Sequence, residues 1–324
     1  VEMARLPRRD RGTVVERIGL VFALAALLLT SCQSTSRTTG QATGQATGQT
    51  AVSPSSELAA QRVSFKSGDG VPLSAYFYRA NTGKTGPAII MLHGCSGLLS
   101  KRGALKKREA AWRDILLAEG YHVLLVDSFN PRGVRTICRI KARPVLPDRD
   151  RPYDVYGALA WLQKQLSVAS KKIALMGWSN GAMAMLWSIR DDARQRPNAV
   201  GDDFITAVGF YPGCIKIGRT AFKASVPTLL QVGLADSWTM PKPCLALVDQ
   251  SNDRGGAPMQ IDAYEDAAHG FDHPDSRLRE ITTRNSVYKS GAKIVSVGTN
   301  HPARNKAIKR VKTYLRAAFA RGRP

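Results

Sequence analysis

Short apolar runs recur along the chain, separated by polar turns and helix-like stretches. Residues 61–66 and 73–79 read as two early strands, and Pro87-Ala88-Ile89-Ile90-Met91-Leu92 is an unbroken apolar run of the kind that forms a buried strand. Further β-rich runs follow at Lys172-Ile173-Ala174-Leu175-Met176, Ile205 to Tyr211, Val226 to Gly233 and Met259 to Tyr264. Between them lie helix-like segments such as Ala182-Met183-Ala184-Met185-Leu186-Trp187, and a basic helix is expected near 303–320. Strands alternating with helices predict an α/β fold, a mostly parallel sheet with helices on both faces. In such sheets ligands bind beyond the carboxyl ends of the strands.

One junction in this pattern carries chemistry. The run 172–176 leads into Gly177-Trp178-Ser179-Asn180-Gly181, and a helix-like run follows at once. Strand, sharp turn and helix is the setting in which G-x-S-x-G lifts a serine hydroxyl out of the sheet end. The two glycines fit there because side chains would clash or forbid the strained backbone. Ser179 is therefore a candidate nucleophile, set against the plainer reading of a capped strand-to-helix turn. A serine hydroxyl needs a base, and the base needs an orienting acid. In this architecture the order along the chain is Ser, acid, His, which removes His93 and His122. His269, in Asp266-Ala267-Ala268-His269-Gly270-Phe271, follows a strand and is the expected base, with His273 as fallback. His301 opens the basic helix and reads as a solvated or capping residue. Asp236 occupies the loop after the strand 226–233 and is the expected acid, while Asp249 and Asp253 fall in or after the next helix. The developing oxyanion needs preset donors. Those expected are the backbone N–H groups of Asn180, just after the nucleophile, and of Cys95, in His93-Gly94-Cys95-Ser96-Gly97 after an early strand.

These residues together resemble the α/β-hydrolase superfamily, and more narrowly its dienelactone hydrolase-like branch. The carriers are Leu92 to Gly97, Asp127-Ser128-Phe129-Asn130-Pro131-Arg132-Gly133, the elbow 177–181, Gly233 to Asp236, and Ala268-His269-Gly270-Phe271-Asp272. They span about residues 60 to 322. The resemblance implies an α/β-hydrolase fold and hydrolysis of a small-molecule ester through an acyl-enzyme. The enzymes that name the family carry Cys where this chain has Ser179, which favours a serine esterase over true dienelactone hydrolysis. A peptidase or amidase of the same fold, or a catalytically silent envelope-binding lipoprotein, are the alternatives. The basic excursion from Ser128 to Arg151 is expected to wall the pocket. Within it Arg132 or Arg135 is a candidate to hold a substrate carboxylate, as against a solvated surface role; Trp178 is a second candidate substrate contact. No cofactor is expected.

The segment before the catalytic unit, expected at residues 58–324, reads as an export signal. Arg5, Arg8, Arg9, Arg11 and Arg17 precede the apolar stretch Ile18 to Leu29, which is too short for a comfortable membrane span. Leu29-Thr30-Ser31-Cys32 resembles a bacterial lipobox, so residues 1–31 read as a lipoprotein signal peptide and Cys32 as the lipidated residue. Gln33 after it favours the outer membrane by resemblance, giving a lipid-anchored envelope protein on the periplasmic side. Residues 32–57, with Gly40-Gln41-Ala42-Thr43 repeated, read as a disordered tether. The chain carries 47 Lys and Arg against 25 Asp and Glu, a net charge of +22. No helix-turn-helix, zinc-ligand or RNA-binding pattern accompanies that charge, so no nucleic acid is expected. The charge reads as compatibility with an anionic envelope, or equally as a basic bias of the source proteome. Four cysteines remain beyond Cys32, and they allow three pairings. In the expected sheet Cys214 and Cys244 lie on adjacent loops. Cys95 and Cys138 also follow neighbouring strands, where a bond would brace the oxyanion loop. No pair of cysteines has metal-ligand spacing, so no metal is expected.

Overall fold

The computed structural model describes residues 60–197, 202–283 and 293–321. The expected signal peptide (1–31), Cys32 and the tether (32–57) lie outside the described residues. Eight strands form one sheet in the order β1-β2-β4-β3-β5-β6-β7-β8. They are β1 (Gln61–Lys66), β2 (Pro72–Tyr78), β3 (Gly86–Leu92), β4 (His122–Asp127), β5 (Val168–Trp178), β6 (Thr206–Phe210), β7 (Thr228–Gly233) and β8 (Met259–Tyr264). β2 runs antiparallel to both of its neighbours, and β4, β3, β5, β6, β7 and β8 run parallel. The helices are α1 (Lys107–Ala118), α2 (Arg151–Gln163), α3 (Asn180–Ser188), α4 (Lys242–Asp253) and α5 (His301–Arg321).

The apolar runs become strands buried on both faces, and the two-residue period sorts their side chains. In β3, Ala88, Ile90 and Leu92 join one core, while Ile89 and Met91 join the other. The first core is closed by Val155, Leu159 and Leu162 of α2, Met185 of α3 and Leu247 of α4. The second is closed by Trp112 and Leu116 of α1 and by Ala303, Ala307, Val311, Leu315 and Phe319 of α5. The spacing of three and four residues on α5 puts its apolar stripe on the sheet and leaves Lys306, Lys309 and Arg316 outside. Among the described residues no helix is long and apolar enough to cross a membrane.

A second, two-stranded sheet pairs β9 (Arg279–Thr283) with β10 (Lys293–Val297), which the sequence reading did not anticipate. β10 sits against the His269 loop. Val297 bridges His269, the Gly298 N–H donates to the His269 carbonyl at 3.1 Å, and the Ser296 N–H donates to the Ser237 hydroxyl at 3.3 Å.

Candidate active site

β5 delivers Ser179 into a backbone conformation that L-residues rarely adopt, φ 50° and ψ −114°. The turn is held on both sides: the Ser179 N–H donates to the Phe210 carbonyl and its own carbonyl accepts the Met183 N–H, each at 2.9 Å. A Cβ on Gly177 would stand 2.6 Å from the Gly181 carbonyl carbon, and one on Gly181 would stand 2.1 Å from the Leu92 carbonyl oxygen. Only glycine lets the elbow close on itself and on the end of β3.

The loops after β7 and β8 bring Asp236 and His269 to this turn. Ser179 Oγ lies 3.1 Å from His269 Nε2, and His269 Nδ1 lies 2.8 Å from Asp236 Oδ2. The other carboxylate oxygen, Oδ1, accepts the N–H groups of Trp238 and Thr239, both at 2.8 Å. With Nδ1–H donated to Asp236, the Nε2 lone pair faces the serine hydroxyl, the arrangement needed to take its proton. Asp236 and His269 are 3% and 7% exposed, so little water competes for their hydrogen bond. His269 packs against the rings of Tyr211 and Trp238, with centroids 4.5 and 4.8 Å away.

Thr239 was not singled out by the sequence reading. Its hydroxyl lies 2.9 Å from Asp236 Oδ2, 3.0 Å from His269 Nδ1 and 3.0 Å from the Tyr211 carbonyl. A threonine three residues after the acid is a visible signal, since Asp and Thr in one tight loop favour local side-chain bonding. Asp272, the last residue of the Ala268–Asp272 motif, is a buried hub. It accepts Trp112 Nε1 and Trp178 Nε1, both at 2.7 Å, and the Tyr211 hydroxyl. Tyr211 is itself at φ 37°, and Arg108 Nη1 donates to its hydroxyl at 3.3 Å. Burial and the Asp272 carboxylate push the Tyr211 phenol well above its usual range, so it stays a donor.

Trp178 is therefore not a substrate contact. It is fully buried, its indole N–H is spent on Asp272, and its ring stacks on Phe210. Arg132 is likewise committed elsewhere: its guanidinium grips both oxygens of the buried Asp154, at 3.0 and 2.6 Å, and donates to the Ser128 carbonyl at 2.8 Å. The partner is 22 residues away on α2, which local sequence could not reveal. Arg135 is exposed.

The loop after β3, expected to supply an oxyanion donor, is braced from the excursion at 128–151. Cys95 is bonded to Cys138, and the Cys95 carbonyl accepts the Ile137 N–H at 2.9 Å. Cys95, Phe129, Ile137 and Val145 form a small core, with Trp238 packed against it. Cys214 is bonded to Cys244, joining the loop after β6 to α4. His93 is buried, with Nδ1–H donating to the Gly94 carbonyl at 2.8 Å and Nε2 accepting the Ser128 N–H at 3.2 Å. Burial first, then the nearby Arg151 cation, holds its pKa well below 6.5, so the imidazole is neutral. His122 accepts the Ala80 N–H, and His273 accepts the Asp275 N–H. Asp249 and Asp253 are exposed on α4.

No curated protein matches the chain. Among solved structures, Thermogutta terrifontis esterase 2 phosphoramylated by tabun superposes with a TM-score of 0.56 at 15% identity, over 79% of this chain and 93% of that one. The same esterase with propionate bound gives 0.55 at 16% identity, with the same coverage. A dienelactone hydrolase-like promiscuous phosphotriesterase from metagenomic libraries gives 0.57 at 17% identity, over 80% of this chain and 98% of that one. At these identities the likeness establishes the α/β-hydrolase fold. The model of the dienelactone hydrolase family matches residues 73–319, nearly the whole of the described structure, and the chain belongs to that family of hydrolases.

Proposed function

We propose that this protein is a carboxylic ester hydrolase that works through an acyl-enzyme on Ser179. The observation that carries the reading is the hydrogen-bonded chain Ser179–His269–Asp236, at 3.1 and 2.8 Å, on a strained elbow. Ser179 Oγ attacks the ester carbonyl as His269 Nε2 takes its proton. Asp236 holds the resulting imidazolium through Nδ1–H. The carbonyl electron pair moves to oxygen, where the N–H groups of Cys95 and Asn180 receive it. The tetrahedral intermediate collapses, the imidazolium gives its proton to the leaving alcohol, and an acyl-serine remains. Water then repeats the sequence, with His269 as base, and releases the acid. Lactones fit the same steps, with the alcohol kept on the acyl group. The structural neighbours named as an esterase and a phosphotriesterase support an ester substrate over an amide.

The test is a fluorophosphonate probe followed by a substrate pair. Stoichiometric labelling at Ser179, lost in Ser179→Ala, is expected, with hydrolysis of p-nitrophenyl esters falling on the order of 10⁶-fold in that variant. Faster turnover of p-nitroanilides than of the matched p-nitrophenyl esters would make the protein an amidase. Absence of labelling would make it a silent binding protein. The lipobox-like Leu29-Thr30-Ser31-Cys32 further supports anchoring to the bacterial envelope through Cys32. Cys32→Ser is expected to leave the membrane fraction with its catalysis intact. Its recovery in the pellet at high salt would remove the anchor from the proposal.

A further inference from the structure

Arg151, the first residue of α2, is an arginine with no exposed surface. Its Nη1 donates in two directions, to the His93 carbonyl at 2.9 Å and to Asn180 Oδ1 at 2.8 Å. Its Nε donates to the Ser128 hydroxyl at 3.3 Å, and the guanidinium lies over the Phe129 ring at 5.3 Å. His93 opens the loop that carries the Cys95 N–H, and Asn180 carries the other N–H assigned above to the oxyanion. One nitrogen of one side chain thus ties together two segments that come from different strands, 58 and 29 residues from Arg151.

From these contacts we propose that Arg151 is a positioning residue that sets the spacing of the two oxyanion donors. The inference rests on the acyl-enzyme reading above. Donors act only when they sit about 2.7–3.1 Å from the place where charge develops. A shift of about 1 Å is enough to lose on the order of 10²-fold in rate. The loop after β3 and the elbow touch through backbone, with Gly181 packed on the Leu92 and His93 carbonyls. Such a contact limits approach but does not prevent sliding. A guanidinium with fixed fork geometry prevents it. A stability role alone explains the residue poorly. Neither neighbouring carboxylate, Asp127 or Asp154, is hydrogen-bonded to it, and its Nη2 has no partner among the described residues. Burial lowers its pKa to about 10, with Asp154 opposing the shift and Arg132 adding to it. A well-packed apolar side chain in such a place is often neutral or stabilising. Arg151 touches no reacting atom; it acts through His93 and Asn180.

The experiment compares Arg151→Met, Arg151→Lys and Asn180→Ala with the wild type. Active sites are counted by the fluorophosphonate probe, so that kcat is expressed per competent site. For p-nitrophenyl acetate, Arg151→Met is expected to lose about 10- to 100-fold in titrated kcat with KM within about twofold. A trifluoromethyl ketone, whose hemiketal oxygen occupies the oxyanion position, should weaken in proportion. Arg151→Lys should recover part of both losses, and Asn180→Ala should lose about 3- to 10-fold in kcat by removing one end of the tie. A purely structural residue would lower the melting temperature and the number of competent sites while leaving titrated kcat and ketone affinity unchanged; that result for Arg151→Met overturns the proposal. If Arg151→Met does not fold, Asn180→Ala decides, and wild-type values for its titrated kcat and ketone affinity overturn the proposal equally. Failure of the wild type to label or to hydrolyse esters would instead remove the functional reading itself.

Discussion

On one side of the elbow, Asp236, Thr239, Tyr211 and His269, the proposed acid–base side, are held by a web of hydrogen bonds of 2.8 to 3.0 Å among three loops. On the other side, the groups proposed to receive the oxyanion are two backbone N–H groups, and what holds their segments is a disulfide and a buried guanidinium from a distant excursion. The difference follows from the chemistry. A base must be oriented in one tautomer, which nearby acceptors do well. An oxyanion hole must keep two peptide groups at a fixed separation before the charge appears, which needs stiff long-range braces. The acid–base side should therefore fail through the rate when its charged partner is lost, and the oxyanion side should fail through the rate when its braces are lost.

The largest expected effect tests the acid–base side. Asp236→Asn should lower kcat by roughly 10⁴ with little change in KM, because the amide favours the wrong imidazole tautomer. The same change at Asp249 or Asp253 should do little; a collapse there, with Asp236→Asn active, would move the acid and break the comparison.

Next come the two disulfides. Their loops, with sequence separations of 43 and 30, predict similar stabilisation of about 4 kcal/mol each in the chain-entropy account. Their catalytic effects should differ. Cys95→Ser/Cys138→Ser frees the residue that carries the proposed oxyanion N–H and should lower titrated kcat about tenfold. Cys214→Ser/Cys244→Ser should lower the melting temperature and leave titrated kcat within about twofold, since hydrogen bonds still hold the acid loop. Equal rate losses in the two double variants would show that the sides are not braced differently.

Thr239→Val sharpens the comparison further. It keeps the shape and removes a hydroxyl shared by Asp236, His269 and the Tyr211 carbonyl. A loss of about five- to tenfold in kcat is expected, consistent with one hydrogen bond worth about 1 kcal/mol. No loss would confine the acid–base web to Asp236 and His269.

The smallest effect concerns pH and the oxyanion loop. The His93 pKa is held well below 6.5 in the fold, by burial first and by Arg151 second. As pH falls through 6.5 the unfolded chain takes up a proton that the folded chain refuses, so stability falls with acidification. The contribution has a slope of at most about 1.4 kcal/mol per pH unit. Urea unfolding at several values between pH 7.5 and pH 5.5 should show a shallower slope for His93→Gln than for the wild type. Equal slopes would mean that His93 does not report on the loop.

Local rules of chain geometry and turn chemistry made much of this molecule legible. The elbow around Ser179 could be placed because a strained turn needs glycine at 177 and 181, a requirement written in adjacent residues. The order Ser179, Asp236, His269 could be placed because parallel strands deliver their loops to one edge. The alternation in β3 and the stripe on α5 followed from two-residue and 3.6-residue periods. Other features have no local signature. Arg132 looked available until Asp154 came to it across 22 residues, and Trp178 looked like a pocket wall until Asp272 took its indole across 94. The β9–β10 pair was missed, and so was its seat against the His269 loop.

By itself the sequence determined which residues have the chemistry to act: a serine on an elbow, a histidine and an acid after successive strands, and cysteines near an oxyanion loop. Tertiary structure alone decided which polar groups are free to act and which are already spent. Asp154 occupies Arg132, Asp272 occupies Trp178 and Tyr211, and Arg151 is turned inward onto His93 and Asn180. The physical reason is that a buried polar group must find a partner wherever the fold supplies one. That partner is set by packing in three dimensions, not by distance along the chain.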